Sequence, residues 1–149
     1  METTNIREVN INYGKAVQGP IIKEATNVVD FLRSIAPNNS QEHVFAVYID
    51  GKNAPIGYSI VSTGTANSCP IHPREIYQRA VCLGARAVIM AHNHPSGSCK
   101  RSSEDDKATR DIAAAGRILG ITLLDHVIFT DDDFFSYQGT GKLEEVCKA

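Results

Sequence analysis

The feature that most constrains the fold is a short apolar run in the second half of the chain. Residues 87–91, Ala87-Val88-Ile89-Met90-Ala91, lie between a predicted helix and a polar loop. A strand with one face in water alternates polar and apolar residues, whereas this run is apolar throughout, as is typical of a strand buried on both faces. Such a strand needs packed elements on either side, so the run favours a sheet covered by helices and reached by a crossover connection.

The other periodicities predict one α/β (α+β) domain over residues 1–149, with hairpins first and alternating helices and strands later. Apolar spacings of three and four residues predict helices, and β-branched or alternating runs predict strands. Alternation of Val9, Ile11 and Tyr13 with polar residues, followed by Ile21-Ile22, predicts an N-terminal ribbon. The predicted helices are 23–36, 73–83 and 102–119, and the predicted strands are 44–49, 56–61, 87–91, 121–129 and 134–137, before a polar tail.

Composition and charge exclude several classes of protein. With 42% apolar and 21% charged residues, the 149-residue chain is neither disordered nor fibrous. Its net charge of −2 gives no broad positive field for nucleic acid. The longest apolar run, 44–49, is too short to cross a bilayer and no signal peptide is recognisable, so we expect a cytoplasmic protein with no membrane partner. Four cysteines without a C-x-x-C pair are expected to be free thiols.

Two histidines after the central strand carry the predicted chemistry. His92 and His94 are one residue apart, so on extended backbone their imidazoles point the same way. Asp105 follows in the predicted first turn of a helix, and a loop containing Pro95 and Gly97 allows it to fold back beside them. Two imidazole nitrogens and one carboxylate leave a fourth zinc position open, as catalytic zinc sites require.

Water activated at such a site also needs a proton acceptor outside the ligand set. Composition leaves the choice open, but Glu42 has the most suitable placement, because it precedes strand 44–49 and is expected to face the loop after Ala91 across the end of the sheet. The candidate acceptors are Glu24, Glu42, Glu75 and Glu104.

Several segments, in order along the chain, resemble one known family. His92-x-His94, seven intervening residues and Ser102-x-x-Asp105, with Glu42 upstream, resemble the JAMM (JAB/MPN) metalloprotease signature. The resemblance is closest to the bacterial RadC-like branch of that superfamily and covers roughly residues 6–138. The similar segments are Glu42-His43-Val44-Phe45, Ser62-x-Gly64-Thr65, His72-Pro73-Arg74-Glu75, Ala91-His92-Asn93-His94-Pro95-Ser96-Gly97 and Leu123-Leu124-Asp125-His126.

This resemblance implies a JAB-type fold, a curved mixed sheet between helices, and a zinc-dependent hydrolase of peptide or isopeptide bonds. One Zn²⁺ would be held by His92, His94 and Asp105. Glu42 would be the general base, and Ser102 would hydrogen-bond the oxyanion of a tetrahedral intermediate. The expected partner is a peptide or protein substrate. The RadC-like branch is named for DNA repair, and its full-length members carry an N-terminal helix-hairpin-helix region. We expect here a short form without it, in which contact with DNA is only indirect.

Some of these residues have competing interpretations. Ser102-x-x-Asp105 is also a helix capping box, and Ser103-x-x-Asp106 is an equally good one, so only the family spacing selects Asp105 as the ligand. Among the remaining side chains, His43 is interpreted as a core or surface residue, His72 as a helix cap, His126 as either a core histidine or a group behind the ligands, and Cys99 as a bystander thiol near the metal loop.

A non-enzymatic alternative is a JAB-like scaffold that binds DNA, a repair complex or another protein. The complete set of His92, His94, Asp105 and Glu42 favours the enzyme, because a scaffold does not need these four residues together. A zinc nucleobase deaminase is excluded, since the H-x-E and P-C-x-x-C motifs are missing. Two histidines and a carboxylate also describe the iron(II) site of oxygenases, but those sites are usually found in all-β barrels.

Overall fold

The apolar run at 87–91 lies in the middle strand of a five-stranded sheet in the computed structural model, which describes residues 1–64 and 71–148. The sheet order is β2-β1-β3-β4-β5, with β3 and β4 parallel and the other neighbouring pairs antiparallel. The predicted class, a mixed sheet flanked by helices, is confirmed. In chain order the elements are α1 (Ala25–Ile35), β1 (Glu42–Ile49), β2 (Pro55–Gly64), α2 (Pro73–Leu83), β3 (Ala87–Asn93), α3 (Ser103–Leu119), β4 (Thr122–Phe129), β5 (Phe134–Ser136) and α4 (Lys142–Lys148).

Helices cover both faces of the central strands, as the apolar run requires. Alternate residues of β1 and β3, such as Val44 and Met90, pack on the side of α2 and α3. The residues between them, such as Phe45 and Ile89, pack on the side of α1. All seven residues of β3 are buried. The end of β3 is therefore held firmly from both sides.

Local chemistry sets where α2 and α3 begin and end. The His72 side chain accepts a hydrogen bond from the Arg74 N–H at 3.2 Å, so His72 caps α2 as predicted. Ser102 caps α3 in the same way, by accepting from the Asp105 N–H. Helix α3 ends at Gly120, whose φ of 71° is a left-handed conformation that glycine adopts without steric cost.

Helix α3 approaches α2 closely at Gly116. A Cβ atom at this position would collide with the Tyr77 hydroxyl and the Ile121 carbonyl. The Tyr77 hydroxyl donates to the Ile112 carbonyl at 2.6 Å, and burial raises the pKa of Tyr77 to about 12. The missing side chain of Gly116 therefore sets how closely α3 packs on α2.

The predicted N-terminal ribbon is wrong. Residues 1–22 form no regular structure, and Val9, Ile11 and Tyr13 are exposed. No described strand forms a ladder with this segment, and alternation without a pairing partner does not make a strand. The predicted polar tail instead forms α4, whose Val146 packs against Ile128 and Tyr137.

Two further expectations concern the membrane and the thiols. Among the described residues, none of the helices combines the length and the apolar character that crossing a bilayer demands. Cys82, Cys99 and Cys147 are free thiols, as predicted. Cys69 and Thr65, also singled out in the sequence, lie outside the described residues.

Candidate metal centre

Four side chains of metal-binding type meet at one end of two interior strands, where β1 and α3 begin and β3 ends. Strand β1 runs antiparallel to β3 with Val44 opposite His92, so Glu42, the first residue of β1, lies beside the end of β3. His94 directly follows β3, and Asp105 lies in the first turn of α3. Residues far apart in sequence lie together because the start of β1, the end of β3 and the start of α3 are neighbours.

The distances between these groups are short. His92 Nε2 lies 2.9 Å from His94 Nε2 and 3.2 Å from Asp105 Oδ1. Asp105 Oδ2 lies 3.8 Å from His94 Nε2, and Glu42 Oε1 lies 3.8 Å from His92 Nε2. Glu42, His92 and His94 each offer one ligand atom, and these three atoms all lie within 4.8 Å of one another. The structure therefore brings together the three predicted ligands and the predicted base, while their individual roles stay predictions.

The hydrogen-bonding chemistry of this group fits a cation. Ionised carboxylates only accept, so Glu42 and Asp105 present lone pairs. His94 Nδ1 lies 2.8 Å from the Ser98 carbonyl, which also only accepts, so Nδ1 carries the proton and Nε2 presents a lone pair. Lone pairs from three elements thus face one point. Two imidazoles with carboxylates form a donor set that zinc accepts.

The two carboxylates differ in their electrostatic surroundings. Burial raises the pKa of Glu42, although His92 and His94 partly oppose this effect. Burial also acts to raise the pKa of Asp105, but the neighbouring His92 ring and the hydrogen bond from the Ser102 N–H hold it well below its ordinary value. Asp105 therefore remains ionised, while Glu42 accepts a proton more readily than an ordinary glutamate.

Asp105 is both a capping residue and a member of this group. The Ser102 N–H donates to Asp105 Oδ2 at 2.8 Å, while the Asp105 N–H donates to the exposed Ser102 hydroxyl at 3.1 Å. Asp105 therefore forms the capping box and also faces His92, while its role as a metal ligand stays a prediction. Asp106 bonds to Arg101 at 2.5 Å instead of forming the second possible box. The oxyanion role of Ser102 stays a prediction.

A buried polar group lies behind His92. His126 Nε2 is 2.8 Å from His92 Nδ1, and His126 Nδ1 is 2.7 Å from the Thr109 hydroxyl. Burial lowers the pKa of His126 well below its ordinary value, so this ring is neutral at neutral pH. His126 is thus a fully buried core residue that lies directly behind His92, and the two interpretations of it do not exclude each other. Thr109 was missed, although its position four residues after Asp105 places both on one helix face.

The other candidates lie elsewhere. Cys99 Sγ is 3.8 Å from the Thr130 hydroxyl. His43 is buried, with Nδ1 2.9 Å from the Thr63 hydroxyl, in keeping with a core residue. The three other candidate bases lie at helix starts and do not join the group within the described part of the chain: Glu24 before α1, Glu75 in α2 and Glu104 in α3.

Comparison with known proteins gives one consistent grouping. Residues 22–142 match the family model described as the RadC-like JAB domain. A UPF0758 protein of Chlorobaculum parvum is 37% identical over 127 residues, which are 85% of this chain and 55% of the relative. UPF0758 proteins of Rubrobacter xylanophilus and Geobacillus thermodenitrificans are 40% and 44% identical, over 83% and 68% of this chain and 54% and 45% of their own lengths. The chain spans about half the length of the curated relatives it matches.

Proposed function

Since this chain belongs to the RadC-like JAB domain family, we propose that it is a zinc-dependent hydrolase of peptide or isopeptide bonds. The observation that carries the proposal is the convergence of Glu42, His92, His94 and Asp105, with carboxylate oxygens and an imidazole lone pair facing one point. A protein that served only as a scaffold would gain nothing from gathering these acceptors, because without a cation they repel one another.

Three of these residues would hold the metal. His92, His94 and Asp105 supply two imidazole nitrogens and one ionised carboxylate, which is a ligand set that leaves a position for water or substrate. A zinc ion held there would supply Lewis-acid activation of water and of the substrate carbonyl.

Glu42 is the base in this proposal. Its carboxylate is half-buried and lies 3.8 Å from His92, so it is beside the ligands without being needed as a third protein ligand. The raised pKa of Glu42 brings its proton affinity closer to that of an effective general base. It takes the proton of the attacking water and returns it to the departing amine.

Ser102 is suited to hydrogen-bond the oxyanion. Its Oγ accepts a hydrogen bond from the Asp105 N–H, which leaves the hydroxyl hydrogen free to donate. The side chain is exposed on the outer side of the group. A substrate carbonyl oxygen that gains negative charge there would receive this hydrogen bond.

The test combines elemental analysis with a substrate screen. Untagged wild type, Asp105→Asn and Asp106→Asn are offered zinc, desalted and analysed for metal, and then incubated with peptides and lysine-isopeptide conjugates. We expect near-stoichiometric zinc and hydrolysis in wild type and in Asp106→Asn, the matched neighbour, and neither in Asp105→Asn. Absence of zinc from every preparation would overturn the proposal and favour the scaffold that binds a protein or DNA partner.

A further inference from the structure

A continuous row of hydrogen bonds joins His92 to helix α3 through the core. His92 Nδ1 lies 2.8 Å from His126 Nε2, and His126 Nδ1 lies 2.7 Å from the Thr109 hydroxyl. That hydroxyl in turn lies 2.7 Å from the Asp105 carbonyl. His92, His126 and Thr109 are each 0% exposed, so the protein itself must satisfy their polar atoms.

The Asp105 carbonyl, at the end of the row, determines the donor and the acceptor in each hydrogen bond of the row. A carbonyl oxygen only accepts, so the Thr109 hydroxyl donates its one hydrogen to Asp105. Thr109 Oγ1 must then accept from His126 Nδ1–H. A neutral imidazole with its proton on Nδ1 has a lone pair on Nε2, so His126 Nε2 accepts from His92 Nδ1–H.

This direction determines the state of the other ring nitrogen of His92, Nε2. With its proton on Nδ1, neutral His92 turns the Nε2 lone pair toward His94 and Asp105, at 2.9 and 3.2 Å. The Ser98 carbonyl accepts from His94 Nδ1–H in the same way, so His94 Nε2 also carries a lone pair. Both inner nitrogens of the pair therefore present lone pairs, which is the tautomer that a metal ligand needs.

We propose that His126 is a positioning residue, which with Thr109 holds His92 as the Nδ1–H tautomer and keeps its Nε2 ready to bind metal. This proposal rests on the proposed role of His92 as a ligand. The ring of His126 stacks on Tyr137 with centroids 4.9 Å apart and planes within 1°, so its orientation is fixed as well. Thr109 lies one helical turn after Asp105, so one hydrogen-bonded row positions ligands from both β3 and α3.

The first test reads the tautomer without any metal or substrate. Metal-free protein labelled with ¹⁵N-histidine is examined by NMR at alkaline pH, where free imidazoles are neutral, using correlations between ring nitrogens and ring carbon-bound protons. We expect the Nδ1–H form for His92 in wild type and in Thr109→Ser, and a substantial Nε2–H population in Thr109→Val, which has no hydroxyl. An Nε2–H tautomer of His92 in wild type, or identical tautomers in Thr109→Val and wild type, would overturn the proposal.

The second test measures zinc affinity by competition with a chromophoric chelator. His126→Phe removes the acceptor and is expected to weaken zinc binding about 10- to 100-fold. His126→Gln places an amide oxygen near the lost Nε2 and is expected to recover most of that loss. Thermal unfolding of the metal-free variants separates positioning from folding. Equal zinc affinity of His126→Phe and wild type would overturn the proposal, as would equal losses in His126→Phe and His126→Gln at matched stability.

These readouts stay distinct from the test of the proposed function. If wild type shows the Nδ1–H tautomer but neither binds zinc nor hydrolyses any substrate, the hydrolase proposal fails while the hydrogen-bonded row stands. If zinc binds and hydrolysis occurs while His92 carries its proton on Nε2 in the metal-free protein, the positioning proposal fails alone.

Discussion

The inner and outer halves of the candidate metal centre are built differently. The inner half consists of His92 with His126 and Thr109 behind it, all fully buried and hydrogen-bonded to one another. The outer half consists of Glu42, His94 and Ser102. The side chains of Glu42 and His94 are 16% and 17% exposed, and His94 is held by the carbonyl of a surface loop. In the proposed hydrolase, the buried half would fix the geometry of the ligands, and the partly exposed half would exchange protons and contact the substrate.

Removing one histidine from each half should give the largest difference between the two halves. His92→Ala and His94→Ala should both abolish zinc binding. His92→Ala should also destabilise the metal-free protein by about 2–4 kcal/mol, because it leaves a cavity and an unpaired His126 nitrogen. His94→Ala should cost less, about 1 kcal/mol, since its ring is partly exposed and its removal leaves no buried histidine nitrogen unpaired. Elemental analysis and urea unfolding in the presence of chelator measure both effects, and equal stability losses would contradict the division.

Glu42→Gln separates proton transfer from metal binding. We expect hydrolysis to fall about 100- to 10,000-fold, because the amide cannot accept the proton. Zinc affinity should stay within a few-fold of wild type, because His92, His94 and Asp105 are intact. The measurements are kcat on the substrate found in the screen and zinc competition. Normal hydrolysis by Glu42→Gln would show that another group is the base.

Gly116→Ala tests whether the inner half depends on how α3 is packed. The added methyl group meets the Tyr77 hydroxyl and the Ile121 carbonyl, so we expect a loss of about 1–3 kcal/mol in unfolding free energy from overpacking. Ala114→Gly, at an exposed position in the same helix, should cost at most about 1 kcal/mol, from helix propensity alone. A Gly116→Ala protein as stable as wild type would show that α2 and α3 can move apart to accept the methyl group without loss of unfolding free energy.

The smallest effect is expected at Ser102. Ser102→Ala removes the cap of α3 and should cost about 1 kcal/mol of unfolding free energy, together with a fall in kcat from loss of the hydroxyl donor. Ser102→Thr keeps the hydroxyl and the cap and should retain most of both. A Ser102→Ala protein with unchanged kcat would restrict Ser102 to its capping role.

The central fold was predictable because its signal is local and strong. The run at 87–91 requires cover on both faces, and the helical periodicities before and after it supply that cover. The N-terminal ribbon failed for a different reason, since the alternation of Val9, Ile11 and Tyr13 says nothing about which strand would pair with it. Helix α4 was missed because few apolar residues mark it, and Val146 is buried only once Tyr137 is in place.

The residues of the site could be predicted from the sequence only in part. Spacing and family resemblance selected Glu42, His92, His94 and Asp105, and the structure brings all four together. Neither source gave the hydrogen-bonded row through His126 and Thr109, because it depends on β4 lying beside β3 and on α3 packing against β4. The spacing of Thr109 from Asp105 places both on one helix face, but the contact of Thr109 with His126 is set by tertiary packing.

The capping box at the start of α3 also has a kinetic consequence. Ser102 and Asp105 hold each other in place, and the same carboxylate faces the histidines. In the proposed zinc site, fraying of this first turn would withdraw Asp105, so release of the ion would be coupled to local opening of the helix. The residence time of the ion would then follow the lifetime of that turn, and amide exchange at Asp105 would slow as the ion binds more tightly.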